Sequence, residues 1–313
     1  MKRLIIYGFF FACIVGFLMN HKPEPEEQIV VTNTTMSSIP AQNCHFASIQ
    51  GRRSYHEDRV TCNVDLKIPR FGLNDGVEEV KIGVVAVFDG HIGSDASEMA
   101  SRVFLNKFLQ KNYGYQNSNP KESLKSSLVK TIEEIDAEFS KLALEYQLYS
   151  GSTAVVALIY NEKQVLVANV GDSKAFICSG KLAKELTEDH NADRLDERAR
   201  VEASGGKFTF YTNSVPLLNG HFPMTRAIGD LTLKRVGIIA TPEVTDWLNL
   251  TSKDEFLVVA SDGIFESLSP KKVCEFLYEA EDHSDLTVLA QQIVQKAFLE
   301  GSTDNLSVVL VPL

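Results

Sequence analysis

Acidic residues recur in this sequence at the ends of apolar runs and beside small residues: Glu57-Asp58, Asp89-Gly90-His91, Gly171-Asp172-Ser173, Ser261-Asp262-Gly263 and Asp304-Asn305. Taken singly, an Asp-Gly after a strand is a turn, because both residues tolerate the backbone angles that turns demand. Repetition of the pattern points instead to a shared site. Carboxylates gathered in one place repel each other and resist ionisation unless a cation balances them. Mg2+ and Mn2+ suit such a set, since they take oxygen ligands in octahedral geometry and keep several waters, and the chain has no His and Cys cluster for zinc. Two such ions about 4 Å apart can share a water, lower its pKa and clamp a phosphoryl group for in-line attack. Phosphate ester hydrolysis is the chemistry expected. Arg53, just ahead of Glu57, offers a two-pronged donor to phosphate oxygens. His91 is placed to protonate the departing seryl or threonyl oxygen, the ordinary pKa of histidine lying near neutrality. A lone Arg or His is more often a surface ion pair, and only adjacency to the acids singles these two out.

Elements that could carry those acids are legible around them. Val84–Phe88 before Asp89 and Phe256–Ala260 before Asp262 are continuous apolar runs of the kind buried on both faces. Further strands are expected near 45–50, 59–66, 80–88, 153–160, 165–170, 174–178, 243–247 and 306–311, and 207–224 reads as irregular. Met99, Ala100, Val103, Phe104 and Phe108 recur at helical spacing, as do Leu124, Leu128, Ile132, Ile135, Phe139 and Leu142 after Pro120. Additional helices are expected over 192–203, 270–280 and 286–299. Strands grouped by hairpins, with helices arriving in pairs, predict an α+β fold of antiparallel sheets covered by helices rather than a regular βαβ alternation.

The remaining features bound the function. The chain has 313 residues, 44% hydrophobic and 23% charged, enough for a sizeable core. A net charge of -10 repels a phosphate backbone, so no nucleic-acid partner is expected. No P-loop, dinucleotide, serine-hydrolase-elbow or zincin motif occurs. Eighteen uncharged residues separate Arg3 from Lys22, a helix about 27 Å long that reads as an uncleaved single-pass membrane anchor over residues 1–22. A cleaved signal with a secreted or lumenal product is the alternative, as is a cytosolic protein with a merely hydrophobic start. Residues 23–43 read as a flexible tether and 44–313 as the catalytic domain. Lys2 and Arg3 weakly favour a cytoplasmic tail and a translocated domain, whereas the domain itself argues the other way. Cys13, Cys44, Cys62, Cys178 and Cys274 are odd in number and scattered, so no disulfide framework is expected and a reduced domain is compatible with them. Three glycosylation-type sequons occur, at Asn33, Asn249 and Asn305. The membrane side stays open on these grounds.

The ordered series Arg53-Ser-Tyr-His-Glu57-Asp58, Val87-Phe-Asp89-Gly90-His91, Ser150-Gly-Ser-Thr-Ala154, Asn169-Val-Gly-Asp172-Ser173, Leu186-Thr-Glu-Asp-His190, Thr225-Arg-Ala-Ile-Gly-Asp230, Ala260-Ser-Asp262-Gly263 and Thr303-Asp304-Asn305 resembles the metal-dependent protein phosphatases of the protein phosphatase 2C family. Asp193–Gly206 is most similar to plant members. The resemblance implies a four-layer αββα sandwich and an enzyme acting on phosphoserine and phosphothreonine proteins through two Mg2+ or Mn2+ ions, with a weaker third. By that likeness Asp89 would bridge both metals, Glu57 and the Gly90 carbonyl would serve one, and Asp262 and Asp304 the other. Asp172 would join Asp262 at the third site. Asp58 would orient the attacking water, Arg53 would hold the phosphate, and His91 would be the general acid in a monomeric catalytic domain. An inactive, membrane-tethered phosphoprotein-binding scaffold is the competing reading. The chain departs from the family pattern at Phe265-Glu266, where Trp-Asp is usual, and at Pro216–Met224 beside the substrate. Its sole Trp, Trp247, is not in that flap, which argues against the hormone-receptor control of some plant members.

Overall fold

The computed structural model describes residues 44–71, 77–113, 119–212 and 215–313. The anchor and tether read from residues 1–22 and 23–43, with Cys13 and the Asn33 sequon, lie outside the described residues. Among the described residues no helix is long and apolar enough to cross a membrane.

Sixteen strands and seven helices are described. In chain order they begin β1 (His45–Ile49), β2 (Arg59–Phe71), β3 (Val77–Phe88), β4 (Gly90–His91), α1 (Asp95–Tyr113) and α2 (Pro120–Tyr146). Then follow β5 (Gly151–Ser152), β6 (Ala154–Tyr160), β7 (Gln164–Val170), β8 (Lys174–Ser179), β9 (Leu182–Glu185) and α3 (Leu195–Ala203). The flap-side segment holds β10 (Phe208–Thr209), β11 (Leu217–Leu218), β12 (Ile228–Gly229) and α4 (Leu231–Lys234). The chain ends with β13 (Glu243–Val244), β14 (Leu248–Asn249), β15 (Phe256–Ala260), α5 (Asp262–Phe265), α6 (Pro270–Glu279), α7 (Leu286–Leu299) and β16 (Leu306–Pro312).

Two antiparallel sheets dominate, one ordered β1-β16-β15-β8-β9 and the other β13-β7-β6-β3-β2 with β14 also on β7. Alternation along the strands explains how they stack. Val84, Ala86 and Phe88 of β3 join Phe104, Phe108, Leu128, Ile132 and Ile135 of α1 and α2 in one core. Val85 and Val87, on the opposite face of the same strand, pack with Val155, Ile177, Leu257, Val259 and Val309 between the sheets. Val258 and Leu310 on the far side of the other sheet meet Val273, Leu277, Leu289 and Ile293 of α6 and α7. Each central strand is thus buried on both faces, which is why its sequence is a continuous apolar run. The arrangement is the expected four-layer αββα sandwich.

Most boundaries fall within a few residues of the expected ones, but β2 and β3 extend into a longer hairpin with a register shift between Asn63 and Leu66. The segment expected to be irregular carries the small β10-β11 hairpin. Pairing of the cysteines is where expectation fails. Cys44 is bonded to Cys62 and Cys178 to Cys274. Spacing along the chain gave no hint, because the second pair joins β8 to α6 across 96 residues and only the folded sheet brings them together.

Candidate active site

The acids expected to act together leave strand ends or turns at one end of the two sheets, and glycines allow the close approaches. A Cβ at Gly90 would lie 2.6 Å from the Glu57 carbonyl oxygen, so β4 passes the Glu57-Asp58 turn at backbone distance. Gly51, at φ +63°, and Gly263 would each drive a Cβ into the Asp304-Asn305 backbone. Asn305 locks these pieces. Its side-chain oxygen accepts from the Glu57 N–H at 2.8 Å, while its amide donates to the carbonyls of Gln50 (2.6 Å) and Tyr55 (2.9 Å).

Electrostatics records how near the acids are. Burial pushes the Asp89 carboxyl well above the usual range, reinforced by the charges of Asp58, Asp262 and Asp172. Asp172 is likewise raised well above it, first by burial and then by Asp262 and Asp189. Burial pushes Asp58 up to about 7, with Asp262 and Asp304 adding to the shift and hydrogen bonds from Ser307 and Ser261 opposing it. Asp262 is pushed up to about 6, by burial and then by Asp304. Five aspartates expected from separate motifs therefore share one neighbourhood.

The positions differ in how they are engaged. The Asp58 Oδ2 accepts from Ser261 (2.8 Å) and Ser307 (2.7 Å), while its Oδ1 is buried without a protein partner. Glu57 presents its carboxylate to the Gly93 N–H at 2.5 Å. Arg53, a little over half exposed, pairs with Asp304. Among the described residues no three of these side chains already surround a single ion position. The donor set nevertheless fits hard divalent cations: it is all oxygen, it carries more negative charge than Arg53 can balance, and it contains an orphaned buried carboxylate oxygen.

His91 has a partner that sequence reasoning missed. Its Nε2 lies 2.7 Å from Oδ2 of Asp230, a residue that is only 3% exposed. A miniature sheet, β12-β5-β4, makes the pairing: Gly151 of β5 stands opposite His91 on one side and opposite Gly229 on the other. A Cβ at Gly151 would collide with both the imidazole and the Asp230 carboxylate. Asp230 itself adopts φ +51°, a left-handed conformation that Asp tolerates better than most residues. Phe222 from the flap side lies against the imidazole, ring centroids 5.2 Å apart. The one available signal was that Asp230 closes a quoted motif, but nothing in the sequence links it to His91.

Residues 43–306 match the family model described as protein phosphatase 2C. The chain belongs to the protein phosphatase 2C family. Among curated relatives it is 35% identical to the Arabidopsis thaliana protein named probable protein phosphatase 2C 51, covering 87% of this chain and 71% of that one. It is also 35% identical to putative protein phosphatase 2C 76 of Oryza sativa subsp. japonica, over 87% of this chain and 74% of the relative. Among solved structures it resembles a C. elegans sex determining protein, with a TM-score of 0.75 and 27% identity over 88% of this chain and 65% of that one. Serine-threonine phosphatase 2C from Toxoplasma gondii shares the fold at a TM-score of 0.70 and 22% identity, over 89% and 98% of the two chains. The plant-like resemblance read from Asp193–Gly206 agrees with these relatives. Protein phosphatase 2C enzymes are protein phosphatases and, as a family, metal-dependent, and this chain is an enzyme of that class.

Two departures from the usual protein phosphatase 2C pattern have visible consequences. Glu266 accepts from the Thr303 N–H at 2.6 Å and from the Ser302 hydroxyl at 3.1 Å, so it braces the loop that carries Asp304. Trp247 packs edge-on to Tyr160, on the helix-covered sheet and away from the flap. A second charged cluster gathers around the Thr225-Arg226 segment that precedes Asp230. Glu197 on α3 receives Arg226 (2.7 Å), Arg200 (2.7 Å) and the Thr225 hydroxyl (2.6 Å), and Arg194 donates twice to Glu243 at 2.8 Å. These bonds pin α3 to the strand that leads into Asp230.

Proposed function

We propose that this protein hydrolyses phosphoserine and phosphothreonine in proteins at a site built for two Mg2+ or Mn2+ ions. The convergence of Asp58, Asp89, Asp172, Asp262 and Asp304, of which the first four resist ionisation because of burial and then of neighbouring acids, carries the reading. Asp89 would bridge the two ions, Glu57 and the Gly90 carbonyl would complete one, Asp262 and Asp304 the other, and Asp172 with Asp262 a weaker third. Bound cations would supply the positive charge that lets these acids ionise and would make a water nucleophilic at neutral pH.

The remaining roles belong to the side chains. Asp58 has one oxygen fixed by two serine hydroxyls and one free, which suits it to accept a hydrogen bond from the attacking water and aim it. Arg53 would exchange its partner Asp304 for phosphate oxygens. His91 would give a proton to the seryl or threonyl oxygen as it leaves, with Asp230 as the positioning residue that fixes the imidazole through Nε2 and leaves Nδ1 for proton transfer. The catalytic domain would act as a monomer on phosphoproteins. A scaffold that merely binds phosphoproteins has no use for an acid cluster that disfavours its own ionisation, and no observation favours it.

The test is phosphate release from a phosphothreonine peptide by the chelator-stripped chain, with and without added Mn2+ or Mg2+. Release that requires the cation is the expected result. Absence of turnover under both conditions would falsify the reading.

A further inference from the structure

We propose that the phosphatase domain folds and works on the oxidising side of a membrane, with both disulfides closed and a glycan on Asn249. Its substrates would then be phosphoproteins of the secretory lumen or the cell exterior. The substrate clause rests on the phosphatase reading above.

Two independent features support this. All four cysteines among the described residues are consumed in pairs, with Cα atoms 6.1 and 5.3 Å apart, inside the range a disulfide spans. Cys44–Cys62 ties the chain entering one sheet to a strand of the other, and Cys178–Cys274 staples a covering helix to its sheet. Cytosolic chains keep such thiols reduced, whereas secretory compartments oxidise them. Each closure removes two protons and two electrons from a pair of thiols, and both pass to the protein disulfide of an exchange partner.

Sequon placement is the second feature. Asn305 is 4% exposed and spends its side chain on Glu57, Gln50 and Tyr55, so a glycan there is incompatible with the folded site. Asn249 is exposed on the edge strand β14, where only its side-chain oxygen is engaged, by Gln164 at 2.6 Å. It pairs with the start of β7, whereas Asp172 follows the other end, about 20 Å of strand away. A glycan at Asn249 therefore leaves the acids clear. In the transfer, the Asn249 amide nitrogen displaces the lipid pyrophosphate from the anomeric carbon of a lipid-linked oligosaccharide; an N–C bond forms, the anomeric C–O bond breaks, the lipid leaves carrying its pyrophosphate, and the amide gives up one proton to a base of the transferase. Both features suit the topology that Lys2 and Arg3 favour, with the amino terminus cytoplasmic and the domain translocated.

The full chain, tagged at its carboxy terminus and produced in a eukaryotic cell, tests this. In an Asn33→Gln background, endoglycosidase should remove one mobility step. That step should vanish in Asn249→Gln and persist in Asn249-retaining Thr251→Ser, which keeps the sequon. After denaturation, a maleimide polymer should label four more cysteines with prior reduction than without it. The proposal needs both results: either a chain without a glycan at Asn249 or one whose four thiols are free before reduction overturns it. Phosphate release is read on the same preparation. A glycosylated, disulfide-bonded but inactive protein would remove the phosphatase reading alone, and an active protein with free thiols and no glycan would remove only this one.

Discussion

Glu197 and Asp89 are both acids set into the walls of one domain, yet their surroundings shift them in opposite directions. Burial works against the ionised form of each. At Glu197 it is outweighed by hydrogen bonds from Arg200, Arg226 and Thr225, which hold the carboxyl well below its ordinary range. At Asp89 nothing opposes burial, and Asp58, Asp262 and Asp172 add to it. Around Glu197 the protein supplies its own counter-charges, Arg194, Arg200 and Arg226 facing Glu197, Glu243 and Asp196. Around Asp89 the acids outnumber the cations that act on them, Arg53 at Asp262 and Lys174 at Asp172. The first cluster is a completed structural joint. The second is complete only with cations from outside, and that difference separates a charge network that holds the fold from one that does chemistry.

Substitutions that treat the two clusters alike should have unlike effects. Asp89→Asn is expected to cut phosphopeptide turnover by at least about 10³-fold through loss of cation binding, while thermal unfolding of the chelated protein is unchanged or shifted upward, since a repelling charge has gone. His91→Gln should lower kcat about 10²-fold on phosphopeptides, an effect of the size general acids contribute. The same variant should be nearly normal on p-nitrophenyl phosphate, whose leaving group needs no proton. Asp230→Asn should reproduce that selectivity more weakly, and equal loss on both substrates would show that Asp230 merely supports the fold. Glu197→Gln should destabilise the domain by about 3 kcal/mol, because it leaves Arg200 and Arg226 short of their partner, yet spare kcat in the molecules that stay folded. Denaturant unfolding and active-site titration together check it.

A further contrast is expected in the pH dependence of stability. Asp58 and Asp262 have folded pKa values near 7 and 6, raised from 3.8. The folded state holds those protons more tightly than the unfolded chain, so the contribution of these two groups to the stability of the chelated protein is fully present below about pH 4 and is lost as pH rises to about 7. Added Mn2+ should flatten that fall. Glu197 works the other way: its depressed pKa contributes stability above the ordinary glutamate range that is lost on acidification. Melting temperatures against pH, with and without Mn2+, separate the two contributions.

Much of this was legible in the sequence because the physics is local. Val84–Phe88 and Phe256–Ala260 read as doubly buried strands from composition alone, and the acids that follow them are marked by adjacent small residues that only a tight turn or close approach requires. What was not legible depends on residues distant in the chain. Asp230 meets His91 across 139 residues, through glycines in two different short strands. The cysteines looked unpaired for the same reason, since Cys178 and Cys274 sit on a strand and a helix whose contact exists only once the outer layer packs. Glu57 was expected to face a metal, and its bond to the Gly93 N–H depends on a loop path that no motif encodes.

The central claim is that the acids gather to hold cations, and equilibrium binding of Mn2+ to the chelator-stripped chain at pH 6, with the accompanying proton release recorded, tests it most directly. Two ions bound, protons released as Asp58, Asp89 and Asp262 ionise, and both ions lost in Asp89→Asn is the result predicted. A chain that binds no Mn2+, or binds it equally well with Asn at position 89, would contradict it.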